Sequence, residues 1–127
     1  MPKILIVEDD LPLANLYKEG LGKEGFEVEV SDDVSAIFNI KANRPDLVIL
    51  DLLMPKVRGL SILKEIRENA QIGRTPVLIL TNVEETAEME QAVALGIAGY
   101  LFKSEVKMDN LARRVNSIFG RAQKSAS

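Results

Sequence analysis

The chain has 127 residues, which against about 100–200 residues per domain makes one domain with room for a core. Hydrophobic residues at 46% and charged residues at 28% are globular proportions, not those of a disordered chain. With no histidine and no cysteine, Ser-His-Asp and Cys-His catalysis, His or Cys metal sites, disulfides and thiol redox chemistry are excluded, and a net charge of −3 offers no bulk positive charge to nucleic acid.

The opening Met1-Pro2-Lys3 is followed by too short an apolar run for a signal peptide. No run approaches the about 20 residues of a membrane span. A cytoplasmic protein without a membrane partner is therefore expected. Ile4-Leu5-Ile6-Val7, Leu47-Val48-Ile49-Leu50 and Val77-Leu78-Ile79-Leu80 are unbroken aliphatic runs, which predict central strands of a parallel sheet buried on both faces. Phe26-Glu27-Val28-Glu29-Val30 alternates and predicts an edge strand. Ala98 to Phe102 is a fifth strand.

Helical spacing fills the intervals. Leu13, Leu16, Tyr17 and Leu21 mark a first helix, with Pro12 in its opening turn and Gly20, Gly22 and Gly25 towards its end. Ala36, Ile37 and Ile40 mark a second. Ile62, Leu63 and Ile66 mark a third, after the loop Met54 to Gly59. Met89, Ala92 and Val93 mark a fourth, and Leu111, Val115, Ile118 and Phe119 a fifth. Strict βα alternation predicts an α/β fold, a doubly wound five-stranded parallel sheet of order 2-1-3-4-5 in a flavodoxin-like three-layer sandwich. The domain is expected over residues 1–120, with 121–127 a polar tail or linker stub.

Ligands of such sheets bind beyond the carboxyl ends of the strands, at the switch point between strands 1 and 3. After Val7 come Glu8, Asp9 and Asp10; after Leu50, Asp51; after Leu80, Thr81; after Phe102, Lys103. Carboxylates, a hydroxyl and an ammonium thus converge on one rim. Asp10 and Thr81 also fit the simpler role of helix N-caps, and Lys103 alone fits a solvated lysine. Asp51 is followed by Leu52-Leu53-Met54 and caps no helix directly. Two carboxylates about 5 Å apart repel by about 3 kcal/mol at an effective dielectric near 20. Three stay ionised only beside a cation, or one takes up a proton. Oxygen-only ligation suits Mg²⁺, with Mn²⁺ a permitted substitute. Such a metal and Lys103 neutralise a phosphoryl group, Thr81 donates a hydrogen bond to it, and Asp51 is left to attack phosphorus.

The sequence resembles the receiver domains of two-component response regulators, the CheY-like family, over about residues 3 to 119. The resemblance rests on Ile4 to Asp10, on Asp51-Leu52-Leu53-Met54-Pro55 running to Gly59, on Thr81, and on Ala98-Gly99-Tyr100-Leu101-Phe102-Lys103. It implies that Glu8 holds Mg²⁺ through a water, that Asp9 and Asp51 ligate it directly, and that the Leu53 carbonyl completes the protein ligands. It further implies that Asp51 is phosphorylated, that Thr81 is the switch hydroxyl, that Tyr100 is the aromatic that follows it, and that Lys103 pairs with the phosphoryl group. Asp10 lies one place past the family's acidic pair and receives no role.

Two positions depart from the family pattern. Ser104 follows the lysine where the family has a proline in a cis bond; before serine a cis bond costs about 2.5–4 kcal/mol. The geometry of that loop, and with it the aim of Lys103, therefore does not follow from the family pattern. Asn82 stands where a small residue is usual, and is expected to alter phosphoryl turnover.

The resemblance implies a histidine kinase or histidine phosphotransfer protein as donor, a downstream protein target or output domain, and a self-modifying switch rather than a turnover enzyme. A degenerate receiver that binds proteins without phosphorylation is the alternative. A flavin carrier is disfavoured because Glu8-Asp9-Asp10 repels its phosphate, and a fast aspartyl phosphatase because Leu53 stands where its second acid belongs. Helix 4 opens with Glu84, Glu85, Glu88 and Glu90, while helix 5 carries Lys107, Arg113, Arg114 and Arg121. Two solvated faces and a two-fold homodimer through helix 4, strand 5 and helix 5 both fit this contrast.

Overall fold

In the computed structural model, which describes residues 1–82 and 87–120, strands and helices alternate along the chain. The order is β1 Lys3–Val7, α1 Leu11–Lys23, β2 Glu27–Ser31, α2 Ala36–Asn43, β3 Leu47–Leu50, α3 Gly59–Glu68, β4 Val77–Thr81, α4 Ala87–Leu95, β5 Gly99–Phe102 and α5 Met108–Ile118. The five strands pair in parallel in the order β2-β1-β3-β4-β5, as the βα alternation predicts. The acidic opening of helix 4 at 84–86 and the tail 121–127 lie outside the described residues.

Aliphatic runs become central strands because both faces are covered. Strand side chains alternate between faces, so Leu5, Val7, Val48, Leu50, Val77 and Ile79 pack with α2, α3 and α4. Ile4, Ile6, Leu47, Ile49, Leu78 and Leu80 pack with α1 and α5. Burying each such side chain contributes about 1.5–3 kcal/mol. β2 keeps the predicted wet face, with Glu27 and Glu29 exposed and Val28 buried, although it starts after Phe26, whose ring instead stacks 5.6 Å from that of Phe119.

Two core expectations are corrected. Leu16 is 59% exposed and Val93 53%. In α1 the buried stripe is Ala14, Tyr17 and Leu21; at 3.6 residues per turn Leu16 falls on the opposite side of the helix. In α4 the buried stripe is Met89 and Ala92 only. Gly20 lies inside α1 rather than at its end, where a Cβ would come within 2.4 Å of Met108 Sδ. Its missing side chain lets α5 pack close. Among the described residues no helix is long and apolar enough to cross a membrane.

Candidate functional site

The ends of four strands build the site. β1 runs into Glu8 and Asp9, β3 into Asp51, β4 ends on Thr81 and β5 hands over to Lys103. Backbone bonds set their relative heights. Glu8 N–H donates to Ser31 O at 3.1 Å, Asp51 N–H to Val7 O at 3.3 Å, and Lys103 N–H to Thr81 O at 2.8 Å. Gly59 opens α3 so close to this rim that a Cβ would stand 2.1 Å from Asp51 O.

Lys103 joins the two halves of the rim. Its Nζ donates to Asp51 Oδ2 at 2.8 Å and pairs with Glu8 Oε1. Asp51 Oδ1 accepts the Leu53 N–H at 3.0 Å, and Glu8 Oε2 accepts the Asp10 N–H at 3.1 Å. Asp10 itself caps α1, its Oδ1 accepting the Leu13 N–H at 3.2 Å, and so takes the simpler role. Glu8, Asp51 and Thr81 are buried. Tyr100 is 44% exposed, its ring 5.6 Å from that of Phe102 on the outer edge of the sheet.

The electrostatics set Asp9 apart from Glu8 and Asp51. Burial alone lowers the Lys103 ammonium's affinity for its proton, but hydrogen bonds and charges from Asp51 and Glu8 outweigh it and hold it above the usual lysine value. Asp9 is pushed up, first by burial and then by the charges of Asp33, Asp32 and Asp51, against which the Asp33 N–H gives a partial offset. The ion pairs of Lys103 go to Glu8 and Asp51; among the described residues none reaches Asp9. Tyr17 beneath the rim is also raised, by burial most of all.

The residues fit a small hard cation. Asp9 and Asp51 offer two carboxylates and Leu53 follows within the same turn; Mg²⁺ characteristically takes one or two carboxylates and keeps waters. Among the described residues no group of three or more Asp, Glu, His or Cys side chains stands together so as to hold a metal ion, so an ion here would rest on these two carboxylates and waters. Of the two departures, Lys103-Ser104 does not disturb the aim of Lys103. No peptide bond among the described residues is cis, and Nζ still reaches both acids. Asn82 is exposed beside the buried Thr81.

Sequence reasoning missed Asp33. It is 4% exposed, and its Oδ2 accepts the N–H groups of Lys56 and Val57, each at 2.8 Å, while its Oδ1 accepts that of Val34 at 2.8 Å. Its own N–H donates to Asp9 Oδ1 at 3.3 Å. Burial works against its ionised form, but the backbone donors prevail and hold the carboxyl below the usual aspartate value. The available signal was the pair Asp32-Asp33 just past β2, had the edge strand been read like the central ones. Arg67 was missed as well. Its guanidinium donates to the carbonyls of Gly73, Thr75 and Gly96, the Thr75 bond at 2.7 Å, and ties α3 to the turn after α4. No spacing in the sequence points to that.

A profile of the response regulator receiver domain matches residues 4–116. The chain is 32% identical over 124 residues to the phosphate regulon transcriptional regulatory protein PhoB of Rhizobium meliloti, covering 97% of this chain and 54% of that protein. It is 40% identical over 103 residues to the transcriptional regulatory protein CpxR of Klebsiella pneumoniae, covering 81% and 43%. It thus spans about half the length of these curated relatives. Among solved structures, the receiver domain of Francisella response regulator 1452 superposes with a TM-score of 0.84 at 32% identity, covering 94% of this chain and 98% of that one. The chemotaxis protein CheY4 of Vibrio cholerae superposes at 0.85 with 28% identity, covering 93% and 98%.

Proposed function

This chain belongs to the receiver domains of two-component response regulators, and on that premise we propose that Asp51 accepts a phosphoryl group from a phosphohistidine of a histidine kinase or histidine phosphotransfer protein. The observation that carries this is the joint hold of Lys103 on Asp51 and Glu8, which brings the ends of β1, β3 and β5 to one point of the rim. Such a rim has a place for a divalent ion and an anionic group together.

Asp9, Asp51 and the Leu53 carbonyl would hold Mg²⁺, or Mn²⁺ in its place, with Glu8 contributing through a water, as the family pattern implies. When bound, the ion neutralises charge on the transferring oxygens. A carboxylate oxygen of Asp51 bonds to phosphorus as the donor's P–N bond breaks, and the electron pair of that bond leaves with the imidazole. Lys103 exchanges part of its hold on Asp51 for a phosphoryl oxygen. Thr81, at the end of β4, donates to another. Tyr100, exposed at the edge, follows Thr81 inward, and the α4-β5-α5 face shifts between two pre-existing arrangements. Its β5-α5 part holds a cleft of about 440 Å³ lined by Tyr100, Phe102, Arg113 and Arg114, among others. It offers a surface to a downstream protein, an output domain or a second copy of the chain. The domain runs over residues 1–120, with 121–127 a polar tail or linker stub, and it switches by its own modification rather than by turning over a substrate.

Incubation with acetyl phosphate tests this directly. Labelling that needs MgCl₂ and is lost in Asp51→Asn is the expected result. No labelling of the native protein at any Mg²⁺ concentration overturns the proposal and leaves a protein-binding module.

A further inference from the structure

The loop 51–58 leaves β3 at Asp51, carries Leu53, and rejoins regular structure at Gly59. Its two ends are held by close backbone packing, with Gly59 N–H donating to Leu52 O at 3.0 Å. Its middle is held from across the rim. Lys56 and Val57 both donate to one oxygen of Asp33, 23 and 24 residues away in the chain. The backbone N–H of the same residue donates to Asp9 Oδ1. Asp33 therefore grips the two loops that bear Asp9, Asp51 and Leu53. Its carboxylate is buried and engaged by three backbone N–H groups, so it is not itself available as a ligand.

We propose that Asp33 is a positioning residue for the phosphoacceptor site: by tying the 51–58 loop to Asp9 it presets the separation of the groups that meet the divalent ion. This rests on the phosphoacceptor function proposed above. Groups behind metal ligands act by fixing ligand orientation, and losing one typically costs about 10–100-fold in metal affinity or activity. Asp33 holds the loop through its carboxylate, which accepts the Lys56 and Val57 N–H groups, and holds Asp9 through its own backbone N–H, so a tie of the right length matters more than its charge.

The test is Mg²⁺ titration calorimetry on the full chain, with amide hydrogen exchange at Lys56 and Val57 in the metal-free protein. Asp33→Ala is expected to raise the Mg²⁺ dissociation constant about 10-fold or more and to speed exchange at both amides. Asp33→Asn removes the charge and gives up the local Val34 bond but keeps one oxygen for the Lys56 and Val57 amides, and is expected to lose clearly less Mg²⁺ affinity than Asp33→Ala. Ile72→Val, a core change away from the rim, serves as the stability control and leaves Mg²⁺ affinity unchanged. If Asp33→Ala does not fold, Asp33→Ser, whose hydroxyl is too short to span both amides, takes its place with the same expectation. A dissociation constant within about twofold of native in the Ala or Ser variant overturns the inference, since the cost of losing a group that positions the ligands is then missing. So does an equal loss in Asp33→Asn, because charge and not the tie is then responsible. Native protein that takes up no Mg²⁺ overturns the phosphoacceptor function itself, and this inference with it.

Discussion

β3 and β5 are both four-residue strands paired in parallel with β4, one on each side of it. Their surroundings differ. β3 also pairs with β1, and all four of its residues are buried. β5 is an edge strand with every residue at least partly exposed, and it opens on Gly99, over which the Arg114 guanidinium lies. A strand packed on both faces and both edges cannot shift without opening voids, and protein interiors tolerate few. An edge strand has fewer partners to lose. Asp51, the proposed acceptor, thus follows a strand held on both faces and both edges, while Tyr100 lies in the edge strand and Lys103 directly follows it. The proposed switch needs that asymmetry: a fixed acceptor and a yielding reporter.

The sharpest way to break the comparison is at the acceptor. Asp51→Asn is expected to abolish Mg²⁺-dependent labelling entirely while leaving the melting temperature near native, read by intact mass and by thermal unfolding. Labelling at native stoichiometry would place the acceptor elsewhere and void the contrast. Next in size comes packing. Ile49→Ala in β3 should cost about 2–5 kcal/mol in urea unfolding, and Leu101→Ala in β5 about 1–2 kcal/mol, because only the first leaves a closed cavity. Equal costs would mean that the edge strand is as firmly held as the centre.

Lys103→Met probes where the two strands meet. It leaves Glu8 and Asp51 without their shared cation, and about 2 kcal/mol of stability should be lost in EDTA. Added MgCl₂ should then raise the melting temperature of the variant more than that of native protein, by the usual ligand linkage. A Mg²⁺ response no larger than native would show that Lys103 does not compete with a cation for this rim. The smallest effect belongs to the exposed pair Arg58–Glu88, which ties the end of the 51–58 loop to α4. Arg58→Ala should cost under about 1 kcal/mol. A larger loss would make α4 part of the rigid half.

Much of the site was legible because it follows strand ends. A strand's direction puts the residue after its last apolar position on the ligand-binding rim, so Glu8, Asp9, Asp51, Thr81 and Lys103 could be placed together without coordinates. Asp33 obeys the same logic but follows an alternating strand, and alternation draws attention to the wet face rather than to the strand's end. Leu16 and Val93 misled because apolar identity counts towards a helical stripe whether or not a partner covers it. Arg67 had no signal, since its partners are three carbonyls whose positions depend on two turns.

The alternation of aliphatic runs with helical spacing determined the five-stranded parallel sheet and its strand order, because parallel strands buried on both faces and right-handed crossovers leave few alternatives. The same sequence determined which residue types stand at the rim. Tertiary structure alone decided which of those acids the lysine neutralises, that Asp33 binds two loops, and that Tyr100 faces outward. Those outcomes depend on distances of a few ångströms between segments far apart in the chain, and charge and hydrogen-bond energies change over that range where hydrophobic patterning does not.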